Sequence, residues 1–356
     1  GRAGALLGLS LILNGLGDLG AARPLAEESA LIYRELNDQR GLAEALTITG
    51  LTLIWHGEGA QSLSHLEEAL TLSRKAGDRW GEAQVLYRLG SFLSDYSGDQ
   101  MGQKMLVDSA AILEEIGDRY LFAGVLASLG VVETRLGDYT AARTHLEHSL
   151  AISQEIGHPW GIADALTNLG CLSRIQGDYT AAQSYLESAQ QVYREHMNST
   201  WEIDVLCALV ETFIAQGDFV SAKLHLQAAS NLLGVSENIW LQVLALYFRG
   251  SLAYYQGDLG IAVALLGETT ALARESRYKP DLARALVALG RVRHALGDFA
   301  QASEAILEGL DLFRTLGNTL GVATALEALA AVRSSQNAGE QAVVLFSMAH
   351  TIREKL

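Results

Sequence analysis

The sequence predicts an all-α protein: a right-handed α-solenoid of about nine helical hairpins, about 18 helices in all. Three observations predict it. The chain copies itself every 40 residues, and positions 17, 57, 97, 137, 177, 217, 257, 297 and 337 read Gly, Gly, Ser, Gly, Gly, Gly, Gly, Gly and Asn without insertion or deletion. A period of that length marks supersecondary units stacked in single file. Within a unit the apolar residues fall at helical spacing, as at Leu121, Phe122, Val125, Leu126, Leu129 and Val132, which is one face of a helix and not a strand's alternation. The same start and stop residues then recur at fixed places in every copy.

The units are 1–36, 37–76, 77–116, 117–156, 157–196, 197–236, 237–276, 277–316 and 317–356. In the first, GRAGALLGLSLILNGL is already a first helix, and the second helix carries Pro24. Pro24 should kink that helix by removing a hydrogen bond and crowding residue 20, a Gly. The second unit follows the pattern with GEGAQSLSHLEEALTLSRKAG from 57. The third loses the turn signature at 97–102, where SGDQMG stands, and Met101, Gly102 and Met105 replace its packing set; a local shift is expected there.

The fourth unit is the clearest. Its first helix stops at Gly137, which can take the left-handed conformation of a helix end, and Asp138 follows as an N-cap. The fifth is entered through His158 and Pro159, a residue suited to the first turn. Asp38, Asp78, Asp118 and Asn318 hold the capping place of His158 in sister units. In the sixth, Met197 replaces the stop Gly, Ser199 and Glu202 have capping-box spacing, and Val210 stands where most units have Gly. A bulkier residue there predicts a change of curvature near 197–210 in an otherwise single superhelix over 1–356. The seventh and eighth units are regular, with Pro280 at a helix start. The ninth closes without a polar capping helix and residue 1 is not Met. The chain therefore reads as a fragment of a longer protein, whose apolar ends favour end-to-end self-association.

Two columns show what packs. Ala22, Ser62, Gly102, Ala142, Ala182, Ala222, Ala262, Ala302 and Ala342 are always small. Gly50, Gly90, Gly130, Gly170, Gly250 and Gly290 recur inside helices, where glycine costs about 1 kcal/mol relative to alanine. Close approach of the neighbouring helix is the reason such a column persists.

The order Leu129, Gly130, Gly137, Asp138, Tyr139, Ala142, Leu146, Ser149 resembles the tetratricopeptide repeat, at 40 residues per unit where the family runs at about 34. The resemblance covers the whole chain and departs at 97–102, at Val210 and at the end. It implies that first helices line a concave groove and that groove residues bind the partner. Positions flanking the packing Gly then nominate Tyr87, Arg88 and Asp95 in one unit, followed by Arg135, Asn168, Arg174 and Glu211. Further along they nominate Tyr247, Tyr254, Arg291 and His294. The set mixes Arg, for carboxylate or phosphate oxygens, with Tyr, for stacking or apolar contact. The Lys and Asn clamp of chaperone-binding arrays is not reproduced.

Composition narrows the partner. A net charge of −15 disfavours nucleic acid and anionic lipid. No apolar run approaches the ~20 residues of a membrane span, no signal peptide is present, and two cysteines in 356 residues fit a reducing, cytoplasmic setting. Cys171 and Cys207 fall on first helices of consecutive units, where packed free thiols are favoured over a redox pair. No nucleotide, metalloprotease or nucleophile-elbow motif is present, so neither an enzyme nor a cofactor or metal site is expected.

Trp80, Trp160 and Trp240 repeat at twice the period, as do His65, His145 and His225. Residues two units apart lie roughly 20 Å from one another when neighbouring helices are ~8–10 Å apart. The histidines therefore cannot share a metal, and Trp is read as filling seams between units.

The phrase shared by ARTHLEHSLAISQEIG and ARPLAEESALIYRELN resembles the long C-terminal arrays of bacterial multidomain regulators, the STAND ATPases and LuxR/MalT-type transcription activators. That resemblance implies a sensor or interaction module, with ATPase and DNA-binding domains elsewhere. It would bind a protein, a peptide or a small-molecule inducer in the groove. The alternative is a passive scaffold or self-assembly segment that uses its ends or its convex face.

Overall fold

The structure, a computed structural model, describes residues 1–13, 20–53, 58, 61–94, 100–234, 239–275 and 279–355, with the backbone alone at 14–16, 19, 54–55, 59–60, 95–96, 99 and 276. All regular structure among the described residues is α-helical, in eighteen helices, two to each 40-residue unit. The chain forms two compact units, Gly1–Ser128 and Leu129–Leu356, and their boundary falls inside one helix.

The first unit holds α1 (Arg2–Leu16), α2 (Leu19–Glu35), α3 (Gln39–Trp55), α4 (Gly59–Lys75), α5 (Arg79–Tyr96), α6 (Asp99–Ile116) and the start of α7 (Arg119–Leu136). α2 runs without a break through Pro24. The second unit holds the rest of α7, then α8 (Tyr139–Glu155), α9 (Pro159–Ile175), α10 (Tyr179–Glu195), α11 (Ser199–Gln216) and α12 (Phe219–Leu233). It continues with α13 (Ile239–Gln256), α14 (Leu259–Ser276), α15 (Lys279–Ala295), α16 (Phe299–Thr315), α17 (Thr319–Ser335) and α18 (Gly339–Lys355). Within each unit the described helix pairs that pack are one or two places apart in the chain, which makes each a solenoid of hairpins.

The capping residues act as their types dictate. Asp138 and Asp178 accept from the backbone N–H groups of Ala141 and Ala181 at 3.0 Å, Asn318 from Gly321 at 2.7 Å, and the His158 ring nitrogen from Gly161 at 3.2 Å. Gly137 turns the chain with a φ of 92°, a region that favours glycine. One expectation is corrected at α11. The cap is Asn198, whose side chain accepts from the Trp201 N–H at 3.3 Å, and not Ser199, which is the first helical residue. Asn198 is in phase with the other caps, while Glu202 is buried and takes Arg194 Nε at 3.1 Å.

Packing follows the two small columns. At Gly130 an added Cβ would stand 2.5 Å from Leu146 Cγ, at Gly170 2.6 Å from Leu186 Cγ, and at Gly250 2.7 Å from Leu266 Cγ. Each such Leu is fully buried, a transfer worth about 1.5–3 kcal/mol. In the irregular third hairpin the backbones themselves meet, since a Cβ on Gly102 would lie 2.5 Å from the Gly90 carbonyl oxygen. Seams between hairpins are bridged by the column holding Arg40 and Trp80. Arg40 Nε donates to Asp78 at 2.7 Å and Trp80 Nε1 to Asp118 at 2.8 Å. Trp160 lies 6.5 Å from the ring of Tyr193.

Candidate functional site

The second unit gathers charged and aromatic side chains on its first helices α9, α11, α13 and α15. On each, a stripe at i, i+3/i+4 and i+7 turns away from the buried seam: Cys171 with Arg174, Asp204 with Glu211, Tyr247 with Tyr254, Arg284 with Arg291. Arg174 Nη2 and Glu211 Oε2 form an ion pair of 2.9 Å between neighbouring hairpins, with side chains 20% and 33% exposed. A cavity of about 210 Å³ opens beside it, bordered by Arg174, Glu211, Tyr247, Tyr254, Tyr255 and Arg291. The Tyr254 and Tyr255 rings meet edge to face at 5.3 Å, and Tyr255 stacks on Phe219 at 6.3 Å.

Arg284 backs this cavity, its guanidinium 4.6 Å above the Tyr247 ring and 5.8 Å from that of Phe248. Burial works against the Arg284 charge, but Tyr247, Glu211 and Asp281 outweigh it and keep the guanidinium protonated. Burial likewise pushes the Glu211 carboxyl upward, yet Arg174 and Arg284 together hold it below the usual carboxylate value. Asp204 goes the other way. Burial, opposed by Arg284 and reinforced by Asp164, Asp281 and Glu211, lifts its carboxyl to about 6. At neutral pH the site therefore sets the Arg174–Glu211 ion pair and the Arg284 guanidinium beside aromatic faces. Two buried guanidinium nitrogens, Arg174 Nε and Arg284 Nη2, have no hydrogen-bond partner among the described residues.

Five of the residues nominated from sequence thus meet: Arg174, Glu211, Tyr247, Tyr254 and Arg291. Others are engaged elsewhere. Asn168 donates to the Asp164 carbonyl at 3.0 Å, and His294 Nε2 lies 2.8 Å from Ser335 Oγ. Arg135 lies in the last turn of α7. Tyr87 and Arg88 belong to the first unit and pair with each other, the guanidinium 4.7 Å from the ring. Asp95 lies outside the residues whose side chains are described. Sequence reasoning missed Arg284 and Asp204. They lie on the same helical stripe two turns N-terminal to Arg291 and Glu211, so the spacing that found those two could have found them.

The thiols and histidines have ordinary roles. Burial pushes the Cys171 thiol up to about 11 and raises that of Cys207 as well, which disfavours the reactive thiolate. His145 Nδ1 lies 2.7 Å from the buried Glu133, and His225 Nδ1 lies 2.8 Å from the Ser221 carbonyl.

The tetratricopeptide-repeat family model matches residues 121–195 and 242–315. The two matched stretches are similar to tetratricopeptide repeats. No curated protein matches the sequence. Among solved structures, the Rap protein complexed with competence and sporulation factor superposes with a TM-score of 0.67 at 13% identity, covering 88% of this chain and 98% of its own. The Rap conjugation gene regulator of a plasmid, in complex with the Phr* peptide, gives 0.67 at 12% identity over 80% of this chain and 76% of its own. Aspartyl phosphate phosphatase F from Bacillus subtilis gives 0.60 at 12% identity over 99% and 94%. At these identities the likeness is one of fold.

Proposed function

We propose that the tetratricopeptide-type array of the second unit is a non-catalytic interaction module whose groove binds a peptide or a peptide-like segment of a protein. The observation that carries this reading is the convergence of Arg174, Glu211, Tyr247, Tyr254 and Arg291, from the first helices of four successive hairpins, on one cavity. Opposite charges fixed beside aromatic faces suit a chain that offers backbone amides, a charged group and an apolar side chain. The unfilled donors of Arg174 and Arg284 ask for an acceptor such as a carboxylate or a peptide carbonyl. Solved structures with this fold hold a Phr* peptide and a competence and sporulation factor, which supports the same class of ligand here. In this reading the module serves as the sensor or interaction region of a bacterial multidomain regulator.

Selection of random displayed peptides on the intact chain tests it. Tyr254→Ala and Arg291→Ala leave the Arg174–Glu211 pair in place and should keep wild-type helicity. Each should weaken the selected peptides by about tenfold or more, as truncation of an aromatic or Arg anchor does. Peptides that bind both variants as tightly as wild type would place the binding surface elsewhere.

A further inference from the structure

The first unit has a cavity of its own, about 370 Å³, bordered by Tyr33, Arg40, Glu44, Ser73, Asp78 and Trp80. The reading of the second unit does not use it. At the same register in other hairpins an aromatic ring fills the notch over a glycine: Tyr33 over Gly41 and Phe313 over Gly321, where an added Cβ would fall on the ring. One repeat after Tyr33 the residue facing Gly81 is Ser73. Small meets small there, as it does where Ser153 faces Gly161.

The walls of this opening combine carboxylates with aromatic rings. The Ser73 hydroxyl borders it, the residue is 1% exposed, and the oxygen has no hydrogen-bond partner among the described residues. A buried hydroxyl is costly unless a ligand or neighbour satisfies it. Three carboxylates, Asp38, Glu44 and Asp78, border the cavity against one cation, Arg40. Asp38 and Asp78 each give one oxygen to a helix cap, on Gly41 N at 3.0 Å and Gly81 N at 3.1 Å, and Arg40 holds both Asp78 oxygens, through Nε at 2.7 Å and Nη2 at 3.1 Å. Glu44, in contrast, reaches solvent. Surrounding protein raises its carboxyl above the usual value, Arg40 opposes this, and Asp78 and Asp38 reinforce it. Excess negative charge, an unsatisfied hydroxyl and two aromatic walls therefore share one opening. Trp80 is held in place there by its bond to Asp118, at 2.8 Å.

We propose that this cavity binds a guanidinium, an arginine side chain presented by a partner peptide or protein. A planar cation stacks on Tyr33 or Trp80, donates to Glu44 in the charge-assisted geometry that suits its fork of N–H groups, and leaves one donor for Ser73.

The test titrates the full chain with N-acetyl-arginine methylamide and with its neutral isostere, N-acetyl-citrulline methylamide, following the Trp80 indole N–H resonance. The arginine compound should shift that resonance saturably, and the citrulline compound should bind at least about tenfold more weakly. Ser73→Tyr reproduces the aromatic-over-glycine pairing of Tyr33 and Phe313. It should fold, raise Tm and abolish the shift. Glu44→Gln changes an exposed residue without loss of volume and should weaken the arginine compound by about tenfold. Neither substitution should alter peptides bound at the Tyr254 cavity, so failure here is separable from failure there. Equal response to the two compounds, no saturable response to arginine, or an arginine response undiminished in Glu44→Gln would each overturn the proposal.

Discussion

At the scale of single residues, glycine does opposite things in this chain, and the surroundings decide which. Gly130 lies inside α7, and a Cβ there would stand 2.5 Å from Leu146 Cγ, 2.7 Å from its Cδ2 and 3.2 Å from the Ala142 carbonyl oxygen. Leu146 is fully buried and has nowhere to retreat. Overpacking typically costs ~1–3 kcal/mol, against ~1 kcal/mol of helix propensity gained by alanine, so Gly130→Ala should lose about 1 kcal/mol net. Gly267, inside α14, has nothing within 4 Å of such a Cβ. Gly267→Ala should therefore gain ~0.5–1 kcal/mol. Urea unfolding of both variants reads the contrast, and a stabilising Gly130→Ala would mean that the helices are not held this close. The Gly column was legible because its period matches that of the hairpin. Arg284 was legible only by its spacing, two turns before Arg291, because nothing in its identity separates it from Arg249, an exposed cation on the neighbouring first helix. Only the packing of α13 against α15 sets it over Tyr247.

At the scale of the helix and its turn, the repeat tolerates exceptions that sequence alone misjudges. Met197 stands where Gly77, Gly117, Gly157 and Gly317 stand in other units, and with Glu202 it suggested an altered cap. The turn is instead conserved in geometry: Met197 takes a φ of 52°, and Asn198 caps α11 as Asp178 caps α10. A left-handed conformation costs a non-glycine residue about 1–2 kcal/mol, except that Asn tolerates it, and Asn37 holds the equivalent place with a φ of 53°. Met197 has no such excuse, and its side chain is 92% exposed, so packing offers no compensation. Met197→Gly removes the strain but frees the unfolded chain by ~0.4–1 kcal/mol. A net gain of about 0.5–1 kcal/mol should appear as a higher urea midpoint with an unchanged slope. A lower midpoint would show that the exposed Met side chain contributes contacts in solution.

At the scale of the whole molecule, fold class and helix count were readable because one hairpin, solved nine times over, leaves little freedom. The 40-residue period fixes where every helix starts. The boundary between Gly1–Ser128 and Leu129–Leu356 was not readable, since it cuts α7 at a place where the repeat is most regular. Linear stacking has an energetic consequence that a globular core does not share. Where each hairpin packs only on its neighbours, stability is a sum of local terms, and a lesion is felt locally. Leu169 in α9 is fully buried in a cluster with Ala142, Leu146 and Leu172. Leu169→Ala should cost ~2–5 kcal/mol. By native-state hydrogen exchange, protection should fall in α8, α9 and α10 by nearly that amount and stay close to wild type in α15 and α16, three hairpins away along the chain. A uniform loss across the second unit would mean that its hairpins unfold as one cooperative body. The groove residues would then be coupled to every core position, and variants at Tyr254 or Arg291 could no longer be read as local changes in binding.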